Sequence, residues 1–367
     1  MYFIIQRELI VKPLQIMSSL VERRQTKPIL GHFLLRVVKN QLFITATDSE
    51  IEMTSVLNVQ DAKEGLTTVP GRKFIDISRC LSTADDIKVQ LEKSHVIITS
   101  GKSKFQLVFL PAMDFPQTVD DPLEHQFKIN SKELRKIIVR TQFAMGQQDV
   151  RHYLNGLLLE FDHQKLRAVS TDGHRLALSE IACGIETTPG LQVVIPRKGI
   201  MELCKLLEET DEDIDFGIGK NHIKINFSHM SFHSKLIESK FPEYHRVIPS
   251  LHSKNVLYVE KQDFKESLQR VAILSSEKLQ GVQLDIRQDE MLITVNNTEQ
   301  EKAEEYVTIQ YSGSPIVIAF NINYLLDVLN VLPDGLLEMI VGDSASSCVI
   351  REPDKSDSLF VIMPMVV

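Results

Sequence analysis

The chain has no tryptophan and only four cysteines in 367 residues, Cys80, Cys183, Cys204 and Cys348. No two of them form a Cys-x-x-Cys pair, so their spacing argues against a zinc site and a disulfide framework and fits a reducing cytoplasm. Long apolar runs are also missing. Met1 to Ile5 is apolar for too few residues and meets Arg7 and Glu8 at once, which reads as neither a signal peptide nor a membrane span. There is no low-complexity tract and no excess of positive charge. The net charge of −8 counts, on average, against a nucleic-acid partner. An average leaves open how charge is spread over individual faces.

What the chain does contain is repetition. Its length predicts about two or three domains, and three copies of one pattern run along it. In the middle third, Gly156 to Phe161 is apolar, Asp162 to Gln164 is polar, and Leu166 to Ser170 alternates ahead of Asp172, the pattern of a hairpin. Phe33 to Val38, a turn at Lys39 and Asn40, and Leu42 to Ala46 repeat it ahead of Thr47 and Asp48. Val282 to Ile286, Gln288 to Glu290 and Met291 to Val295 repeat it ahead of Asn296 and Asn297. The copies lie about 124 residues apart, one domain length. Helical spacing recurs over Leu9 to Leu20, Ser131 to Phe143 and Gln262 to Leu274. A strand followed by a helix recurs over Thr68 to Leu81, Val193 to Leu207 and Val317 to Leu332. Val69 to Lys73 and Val194 to Lys198 match almost residue for residue, each with a proline just ahead of its helix, where no N–H is needed. Phe115 with Pro116, and Phe241 with Pro242, close the first two copies. The chain therefore reads as α+β, with similar domains at 1–122, 123–248 and 249–367, each made of two strand-helix-strand-strand-strand units.

Such a repeat has a geometric consequence. If six equivalent helices line one side of a curved sheet with axes about 8 to 10 Å apart, they close a circle only about 18 Å across. Subtracting a helix diameter of about 10 to 12 Å leaves almost no hole. Twelve helices from two chains span about 36 Å between opposite axes and leave a lumen of about 25 Å, wide enough for duplex DNA.

Thr171 to Leu176 is the stretch most suggestive of chemistry, because Asp172 and His174 would share a face of a strand and pair as acid and base. No serine, cysteine or metal-ligand cluster accompanies them, so a structural role is the first reading and an enzyme built on them the second. A monomeric DNA-binding module is a third. Gly101, Lys102 and Ser103 resemble the end of a phosphate loop, but Val96 stands where the first glycine is required. His229 and His233 have helical metal spacing within a segment, Ile223 to Phe232, that alternates like strands. Asp48, Glu50 and Glu52 alternate as on a strand, where they could bind a cation, but a solvated sheet face is the first reading.

Longer motifs point to a family. Lys12, Pro13 and Leu14; Pro28 to Gly31; Val69 to Lys73; Asp149 to Gly156; Thr171 to Leu176; Phe241 to Val247; and the tail Val361 to Met365 are ordered as in the bacterial DNA polymerase III beta subunits, the sliding clamps. The chain resembles that family from Met1 to Val367. The resemblance implies the DNA clamp fold, with outer sheets and inner helices, and a head-to-tail homodimeric ring around duplex DNA. It implies a non-catalytic processivity role with no cofactor and no metal, in the cytoplasm at the nucleoid. It carries over DNA contacts at Arg24, Arg72, Gln148, His152 and Tyr153, with His152 standing where the best-known relatives begin a tyrosine pair. It places a partner-peptide pocket at Leu154, Thr171, Gly173, His174, Arg175, Leu176, Pro242, Arg246 and Val247, together with Ala345, Ser347, Val361, Met363, Pro364 and Met365. The ending Val366, Val367 departs from relatives that carry a basic or longer residue there.

For the dimer contact, Lys102, Lys104, Phe105 and Leu107 would meet Ile273 and Leu274 and the acidic Glu299, Glu301, Glu304 and Glu305, since opposite charges favour head meeting tail. The implied partners are the replicative polymerase catalytic subunit, an ATP-driven clamp loader, translesion polymerases, mismatch repair proteins, DNA ligase and an initiator-regulating factor. The expected inner helices are basic in the first two domains, through Arg72, Lys73, Arg79, Lys132, Arg135, Lys136, Arg140, Arg197, Lys198 and Lys205. In the third, Ile322 to Leu332 carries only Asp327.

Overall fold

The structure is a computed structural model; it describes the chain except residues 22–26, 117–120, 163, 185–189, 250–254, 276–279, 343–345 and 366–367. The first third runs β1 (Tyr2–Gln6), α1 (Arg7–Ile16), β2 (His32–Val38), β3 (Gln41–Thr47), β4 (Ile51–Asn58), β5 (Gln60–Lys63), β6 (Gly65–Pro70), α2 (Gly71–Cys80), β7 (Asp86–Leu91), β8 (Val96–Ser100) and β9 (Ser103–Leu107). The second runs β10 (Leu123–Asn130), α3 (Ser131–Thr141), β11 (Gly156–Asp162), β12 (Lys165–Thr171), β13 (Arg175–Ala182), β14 (Leu191–Pro196), α4 (Arg197–Glu208), β15 (Asp213–Gly219), β16 (His222–Asn226) and β17 (Met230–Lys235). The third runs β18 (Val256–Glu260), α5 (Lys261–Ala272), β19 (Gly281–Arg287), β20 (Glu290–Asn296), β21 (Lys302–Tyr311), β22 (Ile316–Asn321), α6 (Ile322–Val331), β23 (Leu336–Ile340), β24 (Cys348–Arg351) and β25 (Ser358–Ile362). Each third is the strand-helix-strand-strand-strand unit twice over, and the short β5 is an addition confined to the first.

The helices form where apolar residues recur every three to four positions. α5 buries Phe264, Leu268 and Val271, and α6 buries Ile322, Leu325, Val328 and Leu329. Asn321 caps α6, its side-chain oxygen accepting from Asn323 N at 2.9 Å. α1 stops at Ile16, short of the Leu20 its periodicity suggests, and tightens into a 3-10 turn over Met17–Ser19. The two serines of that turn are weaker helix formers than the residues before them, and Ser19 Oγ donates to Glu202 at 2.7 Å.

The chain gathers into two compact units, residues 1–132 with 201–236, and residues 133–200 with 237–367. The first holds a five-stranded sheet, β5-β1-β7-β8-β9, and an eight-stranded one, β10-β15-β16-β17-β4-β3-β2-β6. The second holds one twelve-stranded sheet, β14-β11-β12-β13-β25-β24-β23-β18-β21-β20-β19-β22. The middle third thus gives four strands to each unit. Two antiparallel joins make this possible, β4 with β17 and β13 with β25, and by position in the repeat they are the same join.

The suspected phosphate loop is the hairpin turn between β8 and β9, where Gly101 takes φ +53. His233 lies on β17, and its ring stacks on His222 at 4.7 Å, so the helical metal spacing does not arise. Among the described residues no helix is long and apolar enough to cross a membrane.

Candidate docking groove

Between β12 and β13 the chain reverses in a turn that its own side chains dictate. Thr171 Oγ1 donates to Arg175 O at 2.6 Å and accepts from Gly173 N at 3.1 Å. Asp172 Oδ1 accepts from His174 N and Arg175 N, at 2.9 and 3.1 Å. This is the competition with regular structure that threonine and aspartate side chains offer. Asp172 Oδ2 accepts from Arg175 Nε at 3.0 Å. The carboxylate therefore serves the turn and Arg175, which removes the acid and base pair that the spacing of Asp172 and His174 suggested.

The turn forms one wall of a groove of about 190 Å³ in the second compact unit. Its apolar lining is Leu154, Leu176 and Val361, which are buried, with Pro242, Tyr244 and the half-exposed Val247 and Met363. Arg151, Tyr153, Glu243, Thr171, Gly173 and Arg175 supply the polar lining. Met363 N donates to His174 O at 2.9 Å, so the C-terminal segment is pinned beside the turn.

Two charged assemblies hold the lining from behind. Arg175, its side chain 12% exposed, also donates to Asp327 at 2.6 Å and to Phe143 O at 2.9 Å, and its guanidinium lies 4.3 Å from the Tyr324 ring centre. Tyr244 donates its hydroxyl to Glu160, which also accepts from Gln192 at 2.7 Å and faces Arg167. Burial, then the Glu160 carboxylate, pushes the Tyr244 hydroxyl above its usual range. Burial alone would raise Glu160, but hydrogen bonds from Tyr244 and Gln192 and the Arg167 charge outweigh it and hold the acid below its ordinary value. At the rim, hydrogen bonds from the Arg151 side chain and backbone take Asp149 down to about 2.

The structure brings together Leu154, Thr171, Gly173, Arg175, Leu176, Pro242, Val247, Val361 and Met363. His174 is exposed and contributes its carbonyl; exposed Arg246 pairs with Glu243. Met365 N donates to Ala319 O at 2.8 Å, tying the tail to β22, and Ser347 and Pro364 are half-buried outside the lining. Ala345 lies outside the described residues, as does Arg24. Sequence reasoning missed Arg151, Glu243 and Tyr244; the apolar Phe241 and Tyr244, three apart after a turn-forming segment, were the available signal. Tyr153, expected at DNA, lines the groove. Gln148 (φ +56) and exposed His152 lie on the adjoining loop, and Arg72 is exposed near the start of α2.

Several of the basic residues expected on inner helices are ion-paired within the chain. Arg140 and Lys136, counted among the basic residues of an inner helix, turn to acids: Arg140 meets Glu352 at 3.2 Å and Asp357 at 3.3 Å, and Lys136 meets Asp357 at 3.3 Å. Glu352 is buried, and a buried carboxylate requires a partner. Lys132 pairs with Asp211 and Lys205 with Glu202. Of the expected interface residues, Leu107 is 7% exposed and Ile273 80% exposed in the single chain.

Comparison with known proteins agrees with this architecture. Family models of the DNA polymerase III beta subunit match end to end: the N-terminal domain over residues 1–120, the central domain over 128–243 and the C-terminal domain over 245–366. The chain is 44% identical to a beta sliding clamp of Pseudomonas aeruginosa and 42% identical to that of Escherichia coli K12, over all of each chain. A crystal structure of the P. aeruginosa protein superposes with a TM-score of 0.97 at 42% identity and full coverage of both chains. One bound to griselimycin superposes at 0.96 with 43% identity, also at full coverage. The chain belongs to the DNA polymerase III beta subunit family, the beta sliding clamps.

Proposed function

We propose that two copies of this chain close head to tail into a ring around duplex DNA, and that the groove at Thr171 to Leu176 docks the polymerase and other factors the ring must hold. The ring is a non-catalytic processivity factor, with domains at 1–122, 123–248 and 249–367. The family models divide the chain close to those limits, which supports the division.

The observation that carries the dimer is the repeated sheet join. β4 pairs with β17, and β13 with β25. The third member of the series is β21, and the strand equivalent to β17 and β25 is β9. β21 pairs with β20 over Lys302 to Thr308, and on its other side meets β18 only at Ile309 to Tyr311 among the described residues; β9 is the outer strand of its sheet. A second copy supplies the missing partner, laying Lys102 and Lys104 alongside Glu299, Glu301, Glu304 and Glu305, with Phe105 near Ile273 and Leu274. Such heterologous contacts close when the rotation is right.

DNA contact is directed to phosphate, through Arg24, Arg72, Gln148, His152 and Tyr153, because base readout would stop sliding. In the groove, Met363 suits a surface that accepts several partners, and each apolar anchor gains about 1.5 to 3 kcal/mol on burial. The partners are the replicative polymerase, the ATP-driven loader, translesion polymerases, mismatch repair proteins, DNA ligase and an initiator-regulating factor. Griselimycin, bound by the P. aeruginosa clamp, is a ligand we assign to this groove here.

The test is mass in solution together with retention on DNA. A ring has twice the chain mass, stays on nicked circular DNA and slides from the same DNA once linearised. A monomer that binds both forms alike, losing both with salt, ends the proposal.

A further inference from the structure

We propose that Asp327 of α6 is a positioning residue for the groove, holding the Arg175 guanidinium, and through it the Thr171 to Leu176 wall, where a ligand meets it. This rests on the docking reading above. α6 reads Ile-Asn-Tyr-Leu-Leu-Asp-Val-Leu-Asn-Val, and Asp327 is its one charged residue. That carboxylate accepts from Arg175 Nη1 at 2.6 Å and is 39% exposed, against 12% for the arginine. Tyr324 stands three residues earlier, on the same side of the helix, with its ring 4.3 Å from the guanidinium. α6 therefore grips Arg175 by an edge and a face. Asp172 and Phe143 O, the other acceptors, come from the turn itself and from the segment after α3.

Arg197 is a second cation of this region: its side chain donates to Met145 O at 3.2 Å, and burial, then the Arg175 charge, hold its guanidinium below its ordinary value. Neither Asp327 nor Tyr324 lines the groove, whereas Arg175 does, so their influence on a ligand passes through the arginine. With Asp327 neutral, Arg175 keeps its other acceptors but holds the binding geometry only part of the time. Apparent affinity then falls by that fraction.

The experiment measures griselimycin binding to the full chain by calorimetry, with thermal unfolding in parallel. Asp327→Asn weakens binding about fivefold to tenfold, with an unfolding midpoint close to that of the parent. Asp327→Glu restores binding to within about twofold, and in an Arg175→Lys background Asp327→Asn adds little further loss, because coupled residues are not additive. Unchanged binding by Asp327→Asn, no rescue by glutamate, or additive losses in the double variant each overturn the positioning role. A parent chain that does not bind griselimycin overturns the docking reading, and this proposal with it.

Discussion

The turn at Thr171 to Arg175 has a near copy at Thr47 to Ile51. Thr47 Oγ1 donates to Ile51 O at 2.8 Å and accepts from Ser49 N at 3.0 Å, and Asp48 Oδ1 accepts from Glu50 N and Ile51 N at 2.9 and 2.7 Å. Bond for bond, the backbone design is the same. The copies differ in what leaves the turn. Ile51 is buried at 2% exposure and packs as core, whereas Arg175 reaches Asp172, Asp327, Phe143 and Tyr324. A second difference lies in the hairpins behind. The cross-strand pair is Arg36 with Phe43 in the first copy, the guanidinium 4.5 Å from the ring centre, and Glu160 with Arg167 in the second. One repeat thus yields a packed turn in one place and a groove wall in another, and the distinction rests on a few side chains.

Removing the outgoing side chain separates the copies most sharply. Arg175→Ala leaves Asp172 and Asp327 without their cation and is expected to cost about 3 kcal/mol of stability and to abolish griselimycin binding. Ile51→Ala costs a similar amount, about 2 to 4 kcal/mol, by opening a cavity, yet leaves binding unchanged. Chemical denaturation and calorimetry on the two variants check this. Equal losses of binding would show that the turn acts through overall stability alone.

Exchanging the third residue of each turn is the next test. Gly173 has φ +91, and a Cβ there would meet the Arg151 guanidinium at 3.0 Å; Ser49 carries its side chain at φ +78. Gly173→Ser is expected to cost about 1 to 2 kcal/mol and to weaken groove binding severalfold by displacing Arg151. Ser49→Gly changes stability by less than about 1 kcal/mol, because relieved strain and added unfolded-state freedom oppose each other. Its binding is that of the parent. Unfolding midpoints and binding isotherms read both.

How far the sequence reveals this depends on the range of the interaction. The hairpins, the helices and the twofold unit in each third follow local periodicity and are legible. The joins of β4 to β17 and β13 to β25 link residues far apart in the chain, and no local pattern announces them. Much of the groove lining follows from the family motifs, but the acceptor that holds the Tyr244 hydroxyl is Glu160, distant in sequence. Arg140 and Lys136 look like solvent-facing cations on a helix. Their acids, Glu352 and Asp357, arrive from the end of the chain.

The smallest predicted effect is a dependence on acid carried by the second copy alone. Glu160 sits below its ordinary value of 4.5 in the folded chain, since its hydrogen bonds and the Arg167 charge outweigh burial. A lowered carboxylate contributes stability that is fully present above the ordinary value and is lost as pH falls through the folded one. Protonating Glu160 loosens its hold on Tyr244, so groove affinity should drop about threefold between pH 5 and the acid side of that transition. Asp149, the other acid near the lining with a marked shift, titrates at about 2 and stays charged through most of this window. Glu160→Gln keeps a hydrogen-bond acceptor for Tyr244 without the charge and flattens the profile. In the first copy Arg36 occupies the corresponding place, so Arg36→Gln should leave the acid profile of griselimycin binding as it was. A profile that survives Glu160→Gln assigns the dependence to another group and removes the carboxylate from the account of how the groove is held.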